Sequence, residues 1–253
     1  MTYLWLLIGS LVVNLIFFLI AFRLKTDKFT DFTYGATFTI LSLISLLVGG
    51  TSKLGYILFI MISLWAIRLA LFLVIRIRKI KKDARFDQMR DSFVKFGTFW
   101  LLQAISVWII LLPSFYYFFS DLKIESSLIF VGIIIWGVGL IVESKADQQK
   151  FSFNNNANNK GKWIESGIWQ YSRHPNYLGE MLVWIGIYIF TLSVMDYKSA
   201  IIFAIGPVWI ITLLLFVSGI PKLEKSADAK WGSQKDYQNY KKRVPKLIPF
   251  IKF

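Results

Sequence analysis

The strongest constraint in this chain is a series of seven long apolar stretches, joined by polar connections, within 253 residues. An α-helix needs about 20 mainly apolar residues to cross a bilayer core of about 30 Å. Tyr3–Phe22, Phe32–Val48, Leu54–Ile75, Phe96–Phe119, Leu128–Val142, Leu178–Val194 and Ala200–Gly219 are of that order. The fifth is short and is expected to continue as a helix past Glu143 towards Gln149. Hydrophobic residues make up 56% of the chain and charged residues 17%, against roughly 45–50% and about 25% in soluble domains. One core of this size cannot hide that excess, so most of it should face lipid. The expected fold is all-α and integral to a membrane, with seven transmembrane helices in a single membrane domain over residues 1–253. The first stretch lacks a basic flank and a small-residue cleavage site, so it reads as a retained helix rather than a signal peptide.

The charges test this layout independently. The net charge is +14, from 29 Lys and Arg against 15 Asp and Glu. The connections after spans one, three and five and the C-terminal tail hold 3, 8, 5 and 9 of the basic residues. Those after spans two, four and six hold only Lys53, Lys123 and Lys198, and Arg68 lies inside span three. That alternation predicts an N-terminus outside and a cytoplasmic tail. Nucleic-acid binding is not expected, because the basic residues are accounted for as topology signals. The outer connections are too short to build a pocket. Chemistry is therefore expected on the cytoplasmic side, at Arg76–Lys95, Glu143–Tyr177 and the tail from Ile220 to Phe253. The run Asn154–Asn159 reads as a solvated loop tip.

Composition also removes whole classes of chemistry. With no cysteine there are no disulfides, thiolate metal sites or cysteine nucleophiles. A single histidine, His174, excludes metal sites that need two imidazoles.

Ionisable residues within spans are costly and become functional candidates by default. Arg68 lies mid-span and wants a bidentate acceptor, either a ligand phosphate or a carboxylate such as Glu143 or Glu180. Asn14 and Gln103 read as interhelical hydrogen-bonding residues. Glu143 and Asp147 stand one helical turn apart, suited to ribose hydroxyls or an amine, or else to pairing with Lys145 and Lys150.

The densest polar segment runs from Gly167 to Glu180. Pro175 suits the first turn of a helix, where its missing N–H is no loss. Ser172, Arg173 and His174 then stand at a helix N-terminus, where an anion is favoured. Asn176 and Glu180 share one face, and Gly179 is expected to let a flat ring approach the backbone. The alternative is an interfacial belt of Tyr, Arg and His anchoring the helix. In the tail, Glu224 and Asp228 suggest a short amphipathic helix ended by Gly232. Tyr237 and Tyr240 share a face on the next turn, near Arg243. That tail serves either as a lid over a ligand or as a basic strap on anionic lipid.

Tyr171-Ser172-Arg173-His174-Pro175-Asn176-Tyr177-Leu178-Gly179-Glu180, with Glu224, Tyr237, Tyr240 and Arg243-Val244-Pro245, resembles a membrane superfamily with two branches. One holds the steroid 5-alpha-reductases with the DUF1295 proteins beside them; the other holds isoprenylcysteine and phospholipid methyltransferases. The likeness to DUF1295 covers nearly the whole chain, including Trp65-Ala66-Ile67-Arg68-Leu69 and Asp83-Ala84-Arg85-Phe86. The reductase branch implies seven helices and NADPH entering from the cytoplasm. The resemblance then implies that 1–95 form the substrate side, and that 96–253 carry the cofactor-binding loops and tail. Asn176 and Glu180 would meet the nicotinamide end, with Tyr177 between them in the same run. Arg173 and His174 stand at the helix N-terminus expected to hold the pyrophosphate. The steroid enzymes carry small residues there, and this pair looks more like the methyltransferases and sterol reductases. Asp147, Lys162 and Arg68 would serve ribose and phosphates, while Glu224, Tyr237, Tyr240 and Arg243 would cover the dinucleotide. Steroid 5-alpha-reductases polarise the substrate carbonyl with a tyrosine three residues before the matching arginine, where this chain has Trp65. Indole cannot transfer a proton at neutral pH, so Asp31 and Tyr34 are the nearest replacements.

These readings predict an NADPH-dependent reductase of an activated C=C bond in a membrane lipid or other hydrophobic small molecule. An S-adenosylmethionine-dependent lipid methyltransferase using the same pocket is the alternative, with Glu180 and Glu224 facing the cofactor's cationic end. A non-enzymatic lipid-binding protein on the same fold is the third class.

Overall fold

In the computed structural model, which describes residues 1–80, 86–87, 89–121 and 126–251, helices follow one another without a strand among the described residues. They are α1 (Thr2–Arg23), α2 (Thr30–Val48), α3 (Lys53–Ile80), α4 (Phe93–Phe119), α5 (Ser127–Asn155), α6 (Pro175–Thr191), α7 (Tyr197–Phe203), α8 (Ile205–Thr212), α9 (Ile220–Trp231) and α10 (Lys235–Arg243). Seven helical runs are long and apolar enough to cross a bilayer, making this a multi-pass membrane protein. Lys123, and the Asp83, Ala84 and Arg85 of the family-like segment, lie outside the described residues.

The expected spans agree with these runs in number and place, and differ at their ends. α3 extends beyond Ile75 through Arg76, Arg78 and Lys79, whose stems can stay on the helix while the charges reach water. α5 passes Gln149 and takes in Asn154 and Asn155, so the asparagine run is only partly a loop. Asn156 then caps a 3-10 turn at Ala157–Asn159 by accepting from the Asn158 N–H at 3.0 Å. The seventh run is interrupted rather than continuous. α7 and α8 are followed by a π-helical turn at Leu213–Val217, where the Ser218 and Gly219 N–H groups both donate to the Leu213 carbonyl.

The chain forms two compact units. The first comprises Met1–Phe130 with Ile187–Gly206. Within it α2 packs along α3, and α1 and α4 pack on each other and on α2. Gly35 permits the close approach, since a Cβ there would lie 2.7 Å from the Ala66 carbonyl oxygen. A buried polar seam ties α1, α2 and α4. Gln103 donates to the Asn14 side-chain oxygen at 2.9 Å, Asn14 donates to the Ser10 carbonyl at 2.9 Å, and Ser10 donates to the Ala104 carbonyl at 2.8 Å. Asn14 and Gln103 are thus the interhelical residues expected, because a buried amide must find partners that lipid cannot supply. Below the seam, Phe18, Ala21, Phe86, Phe96 and Trp100 form an apolar cluster. A buried ion pair, Arg90 to Asp27 at 2.9 Å, joins the α1–α2 connection to the segment before α4.

The second unit comprises Val131–Gly186 with Pro207–Phe253. Its framework is α5 against α6 at very short range, through Gly139, Gly179 and Gly186. The α9 and α10 helices match the amphipathic tail expected, with Gly232 ending α9.

Candidate functional site

The second unit assembles its polar centre step by step along the chain. Gly167 adopts φ +63, a left-handed conformation that favours glycine, and opens a turn at Gly167–Gln170. That turn is fixed to α5: the Ile168 N–H donates to the Gln149 side-chain oxygen at 3.0 Å, and the Trp169 indole donates to the Ala146 carbonyl at 3.2 Å. The Arg173 N–H donates to the Pro245 carbonyl at 3.0 Å, which seats the tail beside the start of α6. The His174 N–H donates to Ser172 Oγ, and its carbonyl accepts from Leu178, so His174 caps α6 with Pro175 in the first turn.

The anion favoured at this position is supplied by the protein itself. Glu224, on α9, accepts from Arg173 Nη1 at 2.8 Å through Oε2 and from His174 Nε2 at 2.8 Å through Oε1. Lys241, on α10, lies 3.3 Å from Oε2 and also pairs with Asp228 at 2.6 Å. A carboxylate only accepts, so His174 carries its proton on Nε2 and leaves Nδ1 as an acceptor. That Nδ1 is buried without a hydrogen-bond partner among the described residues, and so are Arg173 Nε, Asn176 Oδ1 and Trp163 Nε1. Buried polar atoms are nearly always satisfied, so this cluster has unused donors and acceptors.

Burial holds the His174 imidazole below its ordinary value of 6.5, against the opposing pull of Glu224. Because the folded value is the lower one, neutral His174 contributes stability above about pH 6.5 that is lost as pH falls through the folded value. The thermal unfolding midpoint in detergent should therefore fall on acidification below pH 6.5, and fall less in His174→Gln. Equal acid sensitivity in both proteins would remove His174 from the account. Burial, then the Glu224 and Asp228 charges, push the Tyr237 phenol up to about 12. Tyr240, 5% exposed, is pushed up further, again chiefly by burial. Both tyrosines are neutral donors at physiological pH.

Arg173, His174 and Glu224 are joined directly, as above. Tyr177 stacks on His174 with ring centroids 5.9 Å apart and planes at 13°. Tyr237 and Tyr240 pack with Trp163 and Trp231, and the Tyr240 hydroxyl donates to the Trp169 carbonyl at 3.3 Å. Arg243 instead pairs at the surface with Glu165, at 3.1 Å. Asn176 and Glu180 follow one another on the first turns of α6, and Asp147 lies half-buried on α5. Lys162 is exposed just after the Gly161 turn. Gly179 departs from expectation. A Cβ on it would lie 2.5 Å from the Glu143 backbone nitrogen, so α5 already fills the space allotted to a flat ring. Two participants were not foreseen, Lys241 and Trp163. Lys241 was findable in principle, because it follows Tyr237 by one helical turn on α10.

Asp31, Tyr34 and Arg68 belong to the first unit. Asp31 stands half-buried in the first turn of α2, and Arg68 half-buried on α3. Trp65 is fully buried, and its ring meets Phe38 edge-on at 5.2 Å and Tyr34 at 6.4 Å. The phenol of Tyr34 thus comes to this aromatic group from α2. The same two helices border an apolar groove of about 280 Å³, lined by Phe32, Gly35, Thr39, Ala66, Ala70 and Val74 among others.

A family model described as "Protein of unknown function (DUF1295)" matches residues 17–244. Nothing among curated proteins or solved structures matches the chain.

Proposed function

The chain belongs to the DUF1295 family, and from that premise we propose that it is a membrane reductase that uses NADPH to saturate an activated C=C bond in a hydrophobic molecule. The observation that carries this reading is the state of Glu224, whose charge is already compensated by Arg173 and Lys241. A carboxylate so engaged is poorly placed to attract a sulfonium or an ammonium group, which weighs against S-adenosylmethionine. The unused atoms suit a ligand that carries phosphate oxygens beside neutral donor and acceptor groups such as a carboxamide or a ribose. Arg173 Nε would donate to a phosphate oxygen, while His174 Nδ1 and Asn176 Oδ1 would accept N–H or O–H groups of a carboxamide or a ribose. Arg173, His174, Asn176, Tyr177 and Glu180 would therefore hold the cofactor, with Asp147, Lys162, Tyr237, Tyr240 and Arg243 around its ribose and phosphates. A bound nicotinamide supplies hydride.

The protein's own contribution is orientation, exclusion of water and a proton. Tyr34 is the better of the two proton-donor candidates, since its ring lies against Trp65, where the steroid enzymes carry their tyrosine. Asp31 stands one turn before it and would orient or replenish that proton. The apolar lining of the α2–α3 groove fits a substrate drawn from the bilayer. The alternation of basic connections supports an N-terminus outside and a nucleotide site that faces the cytoplasm.

Titration of detergent-purified protein with NADPH, NADH and S-adenosylmethionine side by side tests the reading. We expect saturable NADPH binding that Arg173→Ala weakens by about ten- to a hundredfold, the scale of one charge-assisted hydrogen bond. S-adenosylmethionine binding alone would overturn the reductase in favour of the methyltransferase. Binding of none of the three would shift the role to lipid binding without a reaction.

A further inference from the structure

The acceptor held by Arg173, His174 and Lys241 is a side chain of the protein, yet the cradle is not saturated by it. Glu224 offers two oxygens and takes one hydrogen bond from Arg173, through Nη1, while the adjacent Nε stays buried without a partner. A guanidinium reads phosphate and carboxylate best as a fork, with two parallel N–H bonds. Glu224 from α9 does not complete that fork. A tetrahedral phosphate, with more oxygens and more charge, can use Nε and an Nη of Arg173 while keeping His174 and Lys241.

The helix that delivers Glu224 is built to leave. It follows the π-helical turn Leu213–Val217 and then Gly219, which has φ −90 and ψ −106 and where a Cβ would lie 2.4 Å from the Leu214 carbonyl oxygen. Such turns interrupt a helix at functional positions. Only Ile220 of α9 is buried. Ala227 and Trp231 are only partly buried where they pack against Tyr237, Tyr240 and Val244, and the remaining ties are polar: Asp228 to Lys241 at 2.6 Å, and the Trp231 indole to the Gly161 carbonyl at 2.7 Å. An element with little buried apolar surface opens at low cost.

We propose that Glu224 is a displaceable occupant of a phosphate seat formed by Arg173, His174 and Lys241, and that α9 swings out when a ligand's phosphate takes its place. The proposal rests on the nucleotide reading for the identity of that phosphate. Glu224 then acts as an internal competitor, keeping the seat closed until a ligand of higher charge arrives.

The test uses the full chain in detergent, with inorganic pyrophosphate as the probe. Glu224→Gln should bind pyrophosphate more tightly than the parent, on the order of tenfold, and adding Arg173→Ala should abolish the gain. In the unaltered protein, saturating pyrophosphate should speed amide exchange across Ile220–Trp231, a readout that stands even if the variant does not fold. Unchanged or weaker binding by folded Glu224→Gln, or α9 amides that slow or stay constant, would overturn the gate. NADPH binding with no competition from pyrophosphate would also overturn it, leaving the nucleotide reading intact. Pyrophosphate opening without NADPH binding would support the gate and end the nucleotide reading. Phosphatidic acid in mixed micelles separates the two sources of phosphate: faster α9 exchange with the lipid but not with pyrophosphate assigns the seat to a headgroup and overturns a soluble ligand.

Discussion

Replacing Arg90 with alanine is expected to destabilise the first unit by about 3–5 kcal/mol, the scale of a buried ion pair broken from one side. The side chains of Arg90 and Asp27 are 5% and 4% exposed, and Nε lies 2.9 Å from the carboxylate. Removing the guanidinium deprives Asp27 of that charge while keeping its carboxylate in the protein interior. Asp27 also organises the start of α2, because its carbonyl accepts from Thr30 Oγ1 at 2.7 Å and from the Thr30 N–H. The damage should therefore spread into the α1–α2 connection. Asp87, the second partner of Arg90 at 2.8 Å, is 49% exposed, and Asp87→Ala should cost no more than about 1 kcal/mol. The double variant Asp27→Leu/Arg90→Met removes both charges and should recover most of the loss. Denaturant unfolding in micelles, followed by tryptophan fluorescence, measures all four proteins. A double variant as unstable as Arg90→Ala would show that shape, rather than charge compensation, sets the cost.

What could be read beforehand divides along physical lines. The spans were legible because crossing a bilayer demands length and hydropathy, both of which are local properties. The starts and stops at Pro175 and Gly232 were legible for the same reason, since ring and backbone constraints act within one turn. The π-helical turn was not, because Leu213–Val217 contains no glycine, proline or polar residue to mark it. The Asp27–Arg90 pair was also missed. Its members are 63 residues apart, and Arg90 had been accounted for by topology alone. Within the polar centre, Arg173, His174 and Glu224 were all candidates. What the sequence could not show was that one of them would occupy the cradle of the other two, because a carboxylate at a helix N-terminus looks the same whether it comes from a ligand or from a tail helix. Gly179 was misread for a related reason: a missing Cβ makes room without saying for whom.

That last ambiguity yields the second large effect. Gly179→Val should destabilise the second unit by at least about 1–3 kcal/mol, the usual cost of overpacking, and abolish nucleotide binding with it. A Cβ at 179 would lie 2.5 Å from the Glu143 nitrogen and 2.7 Å from the Gly139 carbonyl oxygen. Both are backbone atoms of α5, so no side chain can swing aside to relieve the clash. A Cβ on Gly139 would lie 2.6 Å from the Val183 nitrogen, and one on Gly186 would lie 2.5 Å from the Trp136 nitrogen, so the two helices are held close along their length. Small residues allow this in membranes, where packing rather than the hydrophobic effect joins helices. Displacing α6 would move Arg173, His174 and Asn176 together, which is why binding should fail along with stability. Gly137 provides the control. It lies on α5, where a Cβ would meet nothing within 4 Å. Gly137→Ala should be neutral or stabilising by up to about 1 kcal/mol, from helix propensity alone. Thermal unfolding and NADPH titration on both variants decide the matter. Similar behaviour of the two would mean that α5 and α6 do not depend on this contact, and that Gly179 is free for the ligand after all.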